Sequence, residues 1–229
     1  MKLVAAKSIL KANDQLAAEN RGRFDAAGVF CVNVVGSPGC GKTTLLEALF
    51  DHLRDPAARV PRLRPAVIEG DIAGSIDAQR MEALGVPVVQ INTEGACHLD
   101  ANMTASAAAQ LDLTDVDLLM VENVGNLVCT AGFDLGEHLR IVVLGATEGD
   151  DKAVKYPAIF QGSQALVISK TDLLPYTNFG IPRITADMRR LVPDAPVFQV
   201  AALQREGTQK LAEWISQKRK EEKGQEGGQ

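Results

Sequence analysis

The sequence lacks the features that mark several function classes. It has no run long and apolar enough to cross a membrane, and residues 1–20 carry charges throughout, so they form no signal-peptide core. The net charge of −5 comes with no basic block, which argues against a nucleic acid partner. Cysteine is scarce: Cys31, Cys40, Cys97 and Cys129 sit at no framework spacing and read as reduced thiols of a cytoplasmic protein. There is no internal repeat. What is present is 229 residues with 46% hydrophobic content, enough to bury one large core.

Against that background stands Gly36-Ser37-Pro38-Gly39-Cys40-Gly41-Lys42-Thr43, preceded by an apolar run over residues 29–35 and followed by Thr44-Leu45-Leu46. Strand, glycine-rich turn and helix form the setting of a phosphate-binding loop. Glycines let successive N–H groups converge on phosphate oxygens, and the helix N-terminus adds positive potential there. Lys42 is expected to reach the β- and γ-phosphates and the Thr43 hydroxyl to hold Mg²⁺, with Gly36, Ser37, Pro38, Gly39, Cys40, Gly41 and Thr44 completing the cradle. The stretch predicts a nucleoside triphosphate site.

Residues 2–20 read as a helix with Leu3, Ile9, Leu10 and Leu16 on one stripe. Strands are expected over 29–35, 66–69, 87–91, 117–121, 140–144, 165–168 and 197–200, helices over 42–54, 76–84 and 97–111, and an irregular connection over 54–65. Short β-branched runs alternating with helical stretches predict an α/β fold, a three-layer sandwich with a mostly parallel sheet covered on both faces. One domain is expected over 1–217 with an N-terminal helix, followed by a charged, Gly-rich and disordered tail over 218–229.

The strand at 165–168 runs into Ser169-Lys170-Thr171-Asp172. This resembles the Asn-Lys-x-Asp signature of P-loop GTPases, with Ser in place of Asn. The Asp172 carboxylate suits the two donors on guanine's edge, which adenine lacks, and the Lys170 stem suits the base face. The Ser169 exchange removes an amide and is expected to loosen the base pocket, as is Val200-Ala201-Ala202-Leu203 in the later loop. Glu122, ending an apolar strand, is expected to hold Mg²⁺ through water, and the Gly125 N–H to meet the γ-phosphate. Asp71 has two readings, one in the metal shell or positioning the attacking water, the other as a turn cap.

Cys97-His98-Leu99-Asp100-Ala101 and Asn123-Val124-Gly125-Asn126-Leu127-Val128-Cys129 carry soft donors. From spacing, Cys97, His98 and Cys129 read either as buried thiols with a hydrogen-bonded imidazole or as ligands for nickel or zinc. With Glu69-Gly70-Asp71, Thr147-Glu148-Gly149-Asp150-Asp151-Lys152, Asn13-Asp14 and Glu19-Asn20-Arg21, the chain resembles the hydrogenase nickel-incorporation GTPases, the HypB family, up to about Trp214. The resemblance implies a SIMIBI-type P-loop GTPase fold that turns GTP over to GDP; no obvious arginine finger accompanies the site, so slow intrinsic turnover is expected. It also implies a GTP-promoted homodimer and Ni²⁺ or Zn²⁺ held by Cys97, His98 and Cys129 between subunits. A HypA-family metallochaperone and a hydrogenase large-subunit precursor are the implied partners.

The chain departs from many family members in having no N-terminal Cys-rich motif or His-rich tract, and its histidines are His52, His98 and His138 alone. Nickel storage is therefore not expected. Cys31 and Cys40 read as packing residues, Cys40 alternatively as a redox group. Lys152 and Lys155 read as contacts across the dimer or as a solvated charge run. Three rivals remain: a urease-accessory nickel GTPase, which carries Cys-Pro-His where this chain has Cys97-His98-Leu99, a P-loop small-molecule kinase using Arg189-Arg190 in a lid, and a metal-binding module in which nucleotide is merely structural.

Overall fold

The computed structural model describes residues 6–55, 60–72, 74 and 76–226. The expected helix at 2–5, the connection at 56–59 and the tail at 227–229 lie outside the described residues.

Strands β1 (Phe30–Gly36), β2 (Pro65–Asp71), β3 (Val88–Asn92), β4 (Leu118–Glu122), β5 (Leu139–Gly145), β6 (Ala165–Ser169) and β7 (Val197–Gln199) form one sheet in the order β3-β2-β4-β1-β5-β6-β7. Every ladder among them is parallel. The first half of the chain builds β4, β2 and β3 on one side of β1, and the chain then returns to the other side with β5. Such a reversal opens a crevice beyond the carboxyl ends of the strands. The glycine-rich turn after β1 opens into that crevice.

The sheet is buried on both faces, as its apolar runs require. From β1, Phe30, Val32 and Val34 pack with Leu45, Leu46 and Leu49 of α2 (Lys42–Arg54) and Leu211 and Ile215 of α8 (Thr208–Glu226). On the opposite face Cys31 packs with Phe24 of α1 (Ala6–Ala27) and Ala107 of α4 (Ala101–Ala108). Val35 on that face meets Ile184 and Met188 of α7 (Ile181–Leu191). The remaining helices are α3 (Ile76–Ala83), α5 (Lys152–Lys155) and α6 (Pro157–Gln161).

Two elements differ from expectation. The alanine-rich helix starts at Ala101, because the Asp100 side chain accepts the Met103 N–H at 2.8 Å and caps it. Cys97 and His98 therefore lie on a loop rather than in a helix. At the other end, α8 runs through position 218 to Glu226. Arg219 anchors it, with Nη2 on Asp117 Oδ1 and Nε on the Asp117 carbonyl, each at 3.1 Å. Charge and glycine content suggested disorder, and this contact across the sequence outweighs them.

Candidate functional site

The crevice beyond β1, β2 and β4 holds a cleft of about 430 Å³. Its lining brings together ten of the expected site residues: Pro38, Gly39, Gly41, Lys42, Thr43, Thr44, Asp71, Glu122, Gly125 and Lys170. Gly41 has φ +94°, a left-handed conformation that lets the loop turn into α2 at Lys42. Gly36 and Cys40 are buried behind the loop, and Ser37 is fixed by a hydrogen bond from its hydroxyl to Glu148. Glu148 also accepts the Gly145 N–H at 2.8 Å, so it braces the loop against the end of β5.

Two carboxylates meet at the cleft floor. Glu69 of β2 and Glu122 of β4 are register partners in adjacent strands, 3% and 4% exposed. Thr43 Oγ1 donates to Glu122 Oε1 at 2.8 Å, while Glu69 Oε2 and Glu122 Oε2 have no hydrogen-bond partner among the described residues. Burial, with Glu122 and Asp71 nearby, pushes the Glu69 carboxyl up to about 8. Burial also lifts Glu122 to about 7, against the pull of Lys42 and the Thr43 hydrogen bond. Two orphaned carboxylate oxygens beside a threonine hydroxyl form an all-oxygen donor set that suits a hard divalent cation such as Mg²⁺. Asp71 behaves as a turn cap, its oxygens accepting the N–H groups of Ile72 at 2.7 Å and Gly74 at 2.8 Å, at the cleft wall. Arg80 of α3 lines the same cleft, held by Glu47 at 2.9 Å and donating to Thr44 Oγ1 at 3.2 Å.

From the cleft floor the chain leads directly to the sulfur donors. A Cβ on Gly125 would stand 2.8 Å from Pro38 Cα, so the backbone after β4 lies against the glycine-rich loop as only glycine allows. The next residue, Asn126, donates its N–H to the Gly36 carbonyl at 2.9 Å. Its side-chain Oδ1 accepts the N–H groups of Val128 at 2.7 Å and Cys129 at 3.0 Å. Asn123 reaches the other loop, its Oδ1 accepting the Leu99 N–H at 3.0 Å.

Cys97 and Cys129 meet as a disulfide with Cα atoms 6.1 Å apart. The expectation of four reduced thiols is corrected at this pair; Cys31 and Cys40 are free and buried. Burial pushes the Cys40 thiol up to about 11, which suits packing and not redox chemistry. His98 Nδ1 is 3.8 Å from Cys97 Sγ, and its ring stacks on Phe133 with centroids 3.8 Å apart. Among the described residues no group of three or more His, Cys, Asp and Glu side chains converges on one point. The three-ligand constellation expected within one protomer is thus a sulfur pair with an imidazole alongside. Burial lowers the His98 pKa, which favours the neutral ring that a metal requires.

Comparison with known proteins is decisive at this point. The model of the CobW/HypB/UreG nucleotide-binding domain matches residues 30–199. The hydrogenase maturation factor HypB of Azotobacter vinelandii is 47% identical over 214 residues, 93% of this chain and 68% of that protein. The chain belongs to the HypB family. A probable HypB from Methanocaldococcus jannaschii is 43% identical over 95% of this chain and 96% of its own. A crystal structure of HypB from Helicobacter pylori in complex with nickel superposes with a TM-score of 0.86 at 37% identity, covering 92% of this chain and 96% of that one.

Within this HypB fold the expected base-binding segment follows β6. Lys170 has φ +57° and donates from Nζ to the Gly39 carbonyl at 2.6 Å, bridging the segment to the glycine-rich loop. Ser169 does the same from its hydroxyl to the Cys40 carbonyl, so the residue expected to loosen the pocket is a strut. Asp172 is exposed on the turn Thr171–Tyr176, outside the cleft lining. Lys155 pairs with Asp151 at 2.6 Å and Lys152 stands over the Tyr156 ring at 5.6 Å, both within the chain. Sequence reasoning missed Glu69, Arg80, Asn123 and Asn126. Glu69 carries the same signal as Glu122, an acid near the end of an apolar strand; the two asparagines carry none.

Proposed function

We propose that this HypB-family chain is a GTP-hydrolysing metallochaperone that binds nickel, or zinc, at a GTP-dependent dimer interface and delivers nickel for [NiFe]-hydrogenase maturation. The observation that carries the reading is the stretch from Glu122 to Cys129. It bonds Thr43 at one end, lies against Pro38 and Gly36 in the middle, and holds a sulfur donor at the other.

Lys42 binds the β- and γ-phosphates, the loop amides cradle them, and Lys170 and Asp172 select guanine. Thr43 and Glu122, with Glu69 beside them and Asp71 at the wall, hold Mg²⁺, which when bound neutralises charge on the phosphates. The Gly125 N–H meets the γ-phosphate. Loss of that phosphate releases the segment, in the way GTPases convert hydrolysis into an order-to-disorder step. Nickel is the cargo. Exchange with an external dithiol, which leaves as its own disulfide, frees the Cys97 and Cys129 thiols, which as thiolates suit nickel and zinc. One protomer's two sulfurs and one imidazole fall short of a closed tetrahedral shell, and a two-fold interface doubles them. The recipients are a HypA-family partner and a hydrogenase large-subunit precursor in the cytoplasm; no described helix is long and apolar enough to cross a membrane.

The test is nickel titration of the reduced chain in its GTP, GDP and nucleotide-free forms, with oligomeric state read in parallel. GTP is expected to raise the dimer fraction and change nickel affinity, and Lys42→Ala to abolish turnover and both responses. Equal dimer fraction and equal nickel affinity with GTP and GDP would refute the coupling.

A further inference from the structure

Helix α1 carries two asparagines deep in the molecule, Asn13 at 6% and Asn20 at 2% exposure. Asparagine is a poor helix former and a buried amide is costly unless bonded, so their partners are informative. Asn13 Oδ1 accepts the Ala101 N–H at 2.9 Å and Asn13 Nδ2 donates to the Asp134 carbonyl at 2.8 Å. Asn20 Nδ2 donates to the Ala101 carbonyl at 2.8 Å and to the Leu135 carbonyl at 3.0 Å. Ala101 closes the loop that carries Cys97 and His98, and Asp134 and Leu135 follow the turn that carries Cys129 and Phe133. Each amide therefore grips both loops at once. Arg21 adds donors to the Gly136 and Glu137 carbonyls. Gly136 approaches α1 so closely that a Cβ there would stand 2.6 Å from the Ala17 carbonyl oxygen.

We propose that Asn13 and Asn20 are positioning residues of the metal site. Helix α1 is a splint that sets the separation between the Cys97–His98 loop and the Cys129 loop. This rests on the reading of Cys97 and Cys129 as metal ligands. Groups that hold ligands in place usually bond the ligand side chain itself. Here the hold is on backbone a few residues beyond each donor, so removing it loosens both sulfurs while leaving them in the chain. Neither Asn13 nor Asn20 is among the described residues that line the nucleotide cleft.

The experiment uses the full chain with its disulfide reduced. Ni²⁺ is titrated against a chromophoric chelator, and the thiolate-to-nickel absorption band is a second readout. Five proteins are compared: wild type, Asn13→Ala, Asn13→Asp, Phe24→Ala and Cys97→Ala. Asn13→Asp keeps the acceptor for Ala101 and sets an oxygen against the Asp134 carbonyl, so it releases the Cys129 side alone; because a buried unpaired charge is costly, Asn13→Ala, which adds none, carries the test should Asn13→Asp fail to fold. Phe24 shares an apolar cluster with Leu99 and Leu135 of the two loops but its side chain bonds neither, so Phe24→Ala loosens the packing of α1 against them while keeping the amide grip. Both Asn13 variants are expected to lose about 10- to 100-fold in nickel affinity and most of the band, with nucleotide affinity within about twofold of wild type. Phe24→Ala is expected to unfold at lower urea yet bind nickel as wild type does. Unchanged nickel affinity in the Asn13 variants, or an equal loss in Phe24→Ala, overturns the proposal. Wild-type nickel binding by Cys97→Ala would overturn the metal-site reading itself, and the role of α1 with it.

Discussion

The paired carboxylates at the cleft floor make a sharp claim about the nucleotide-free chain. Glu69 is lifted to about 8 and Glu122 to about 7, chiefly by burial. A carboxyl raised on folding costs nothing below about pH 4.5, where both states keep the proton. As pH rises, the unfolded chain releases that proton while the folded chain retains it, so stability falls with pH until the folded group also ionises. The slope for one such group is about 1.36 kcal/mol per pH unit. Glu69→Gln keeps the shape and removes the titration. Between about pH 5 and pH 7, the variant should therefore gain on the order of 2–3 kcal/mol relative to wild type. The assay is urea unfolding of nucleotide-free protein with chelator present, at about pH 5, 6 and 7 and constant ionic strength, comparing midpoints at fixed slope. A saturating magnesium–nucleotide complex should flatten the difference, since a divalent cation held by these carboxylates would stabilise their charged forms. Parallel midpoint-against-pH curves for wild type and Glu69→Gln would refute the reasoning, because they would mean Glu69 titrates alike in both states.

Three further outcomes are expected. Gly125→Ala drives a methyl to 2.8 Å from Pro38 Cα and 2.9 Å from its nitrogen, backbone atoms that cannot rotate away; calorimetric titration should show weaker nucleotide binding, with stability lower by about 1–3 kcal/mol. Asn126→Ala removes the acceptor that fixes the Val128 and Cys129 N–H groups; the ratio of nickel dissociation constants with GDP and GTP should move toward one, read by chelator competition. Arg140→Met leaves Glu137, 7% exposed, without the guanidinium whose Nε stands 2.6 Å from it; urea unfolding should show a loss of about 3–5 kcal/mol, largely recovered when Glu137→Gln is added.

What could be read from sequence was what is encoded locally. The glycine-rich turn, its flanking strand and helix, and all seven strands follow from short-range pattern, and the observed strands differ from expectation by a residue or two at their ends. The start of α4 depended on whether Asp100 or an earlier residue caps it, a choice that alanine-rich periodicity leaves undecided. Glu69 carried the local signal of an acid near the end of an apolar strand, but its pairing with Glu122 depends on β2 neighbouring β4 rather than β1, which no local pattern states. Asn13 and Asn20 act across separations of 81 to 121 residues, so nothing near them in the chain signals their partners. The disulfide has the same origin: 32 residues separate Cys97 from Cys129, and two thiols that the fold brings together can close on each other as readily as on a metal.

One further consequence concerns β4. Its start is pinned from three directions, with Asp117 bonded to Arg64 at 3.0 Å, to Arg219 at 3.1 Å, and through its carbonyl to the Phe30 N–H at 3.1 Å. Its far end feeds the junction of Gly125 and Asn126. A rod fixed at its base and flanked on both edges cannot slide; it can only let its tip swing. Amide hydrogen exchange should accordingly divide within a few residues. Positions 118–121 should exchange only with global unfolding in every nucleotide state, and 124–129 should change protection with the nucleotide. That division of exchange would mean that the anchor at Asp117 confines the motion to the sulfur-bearing end.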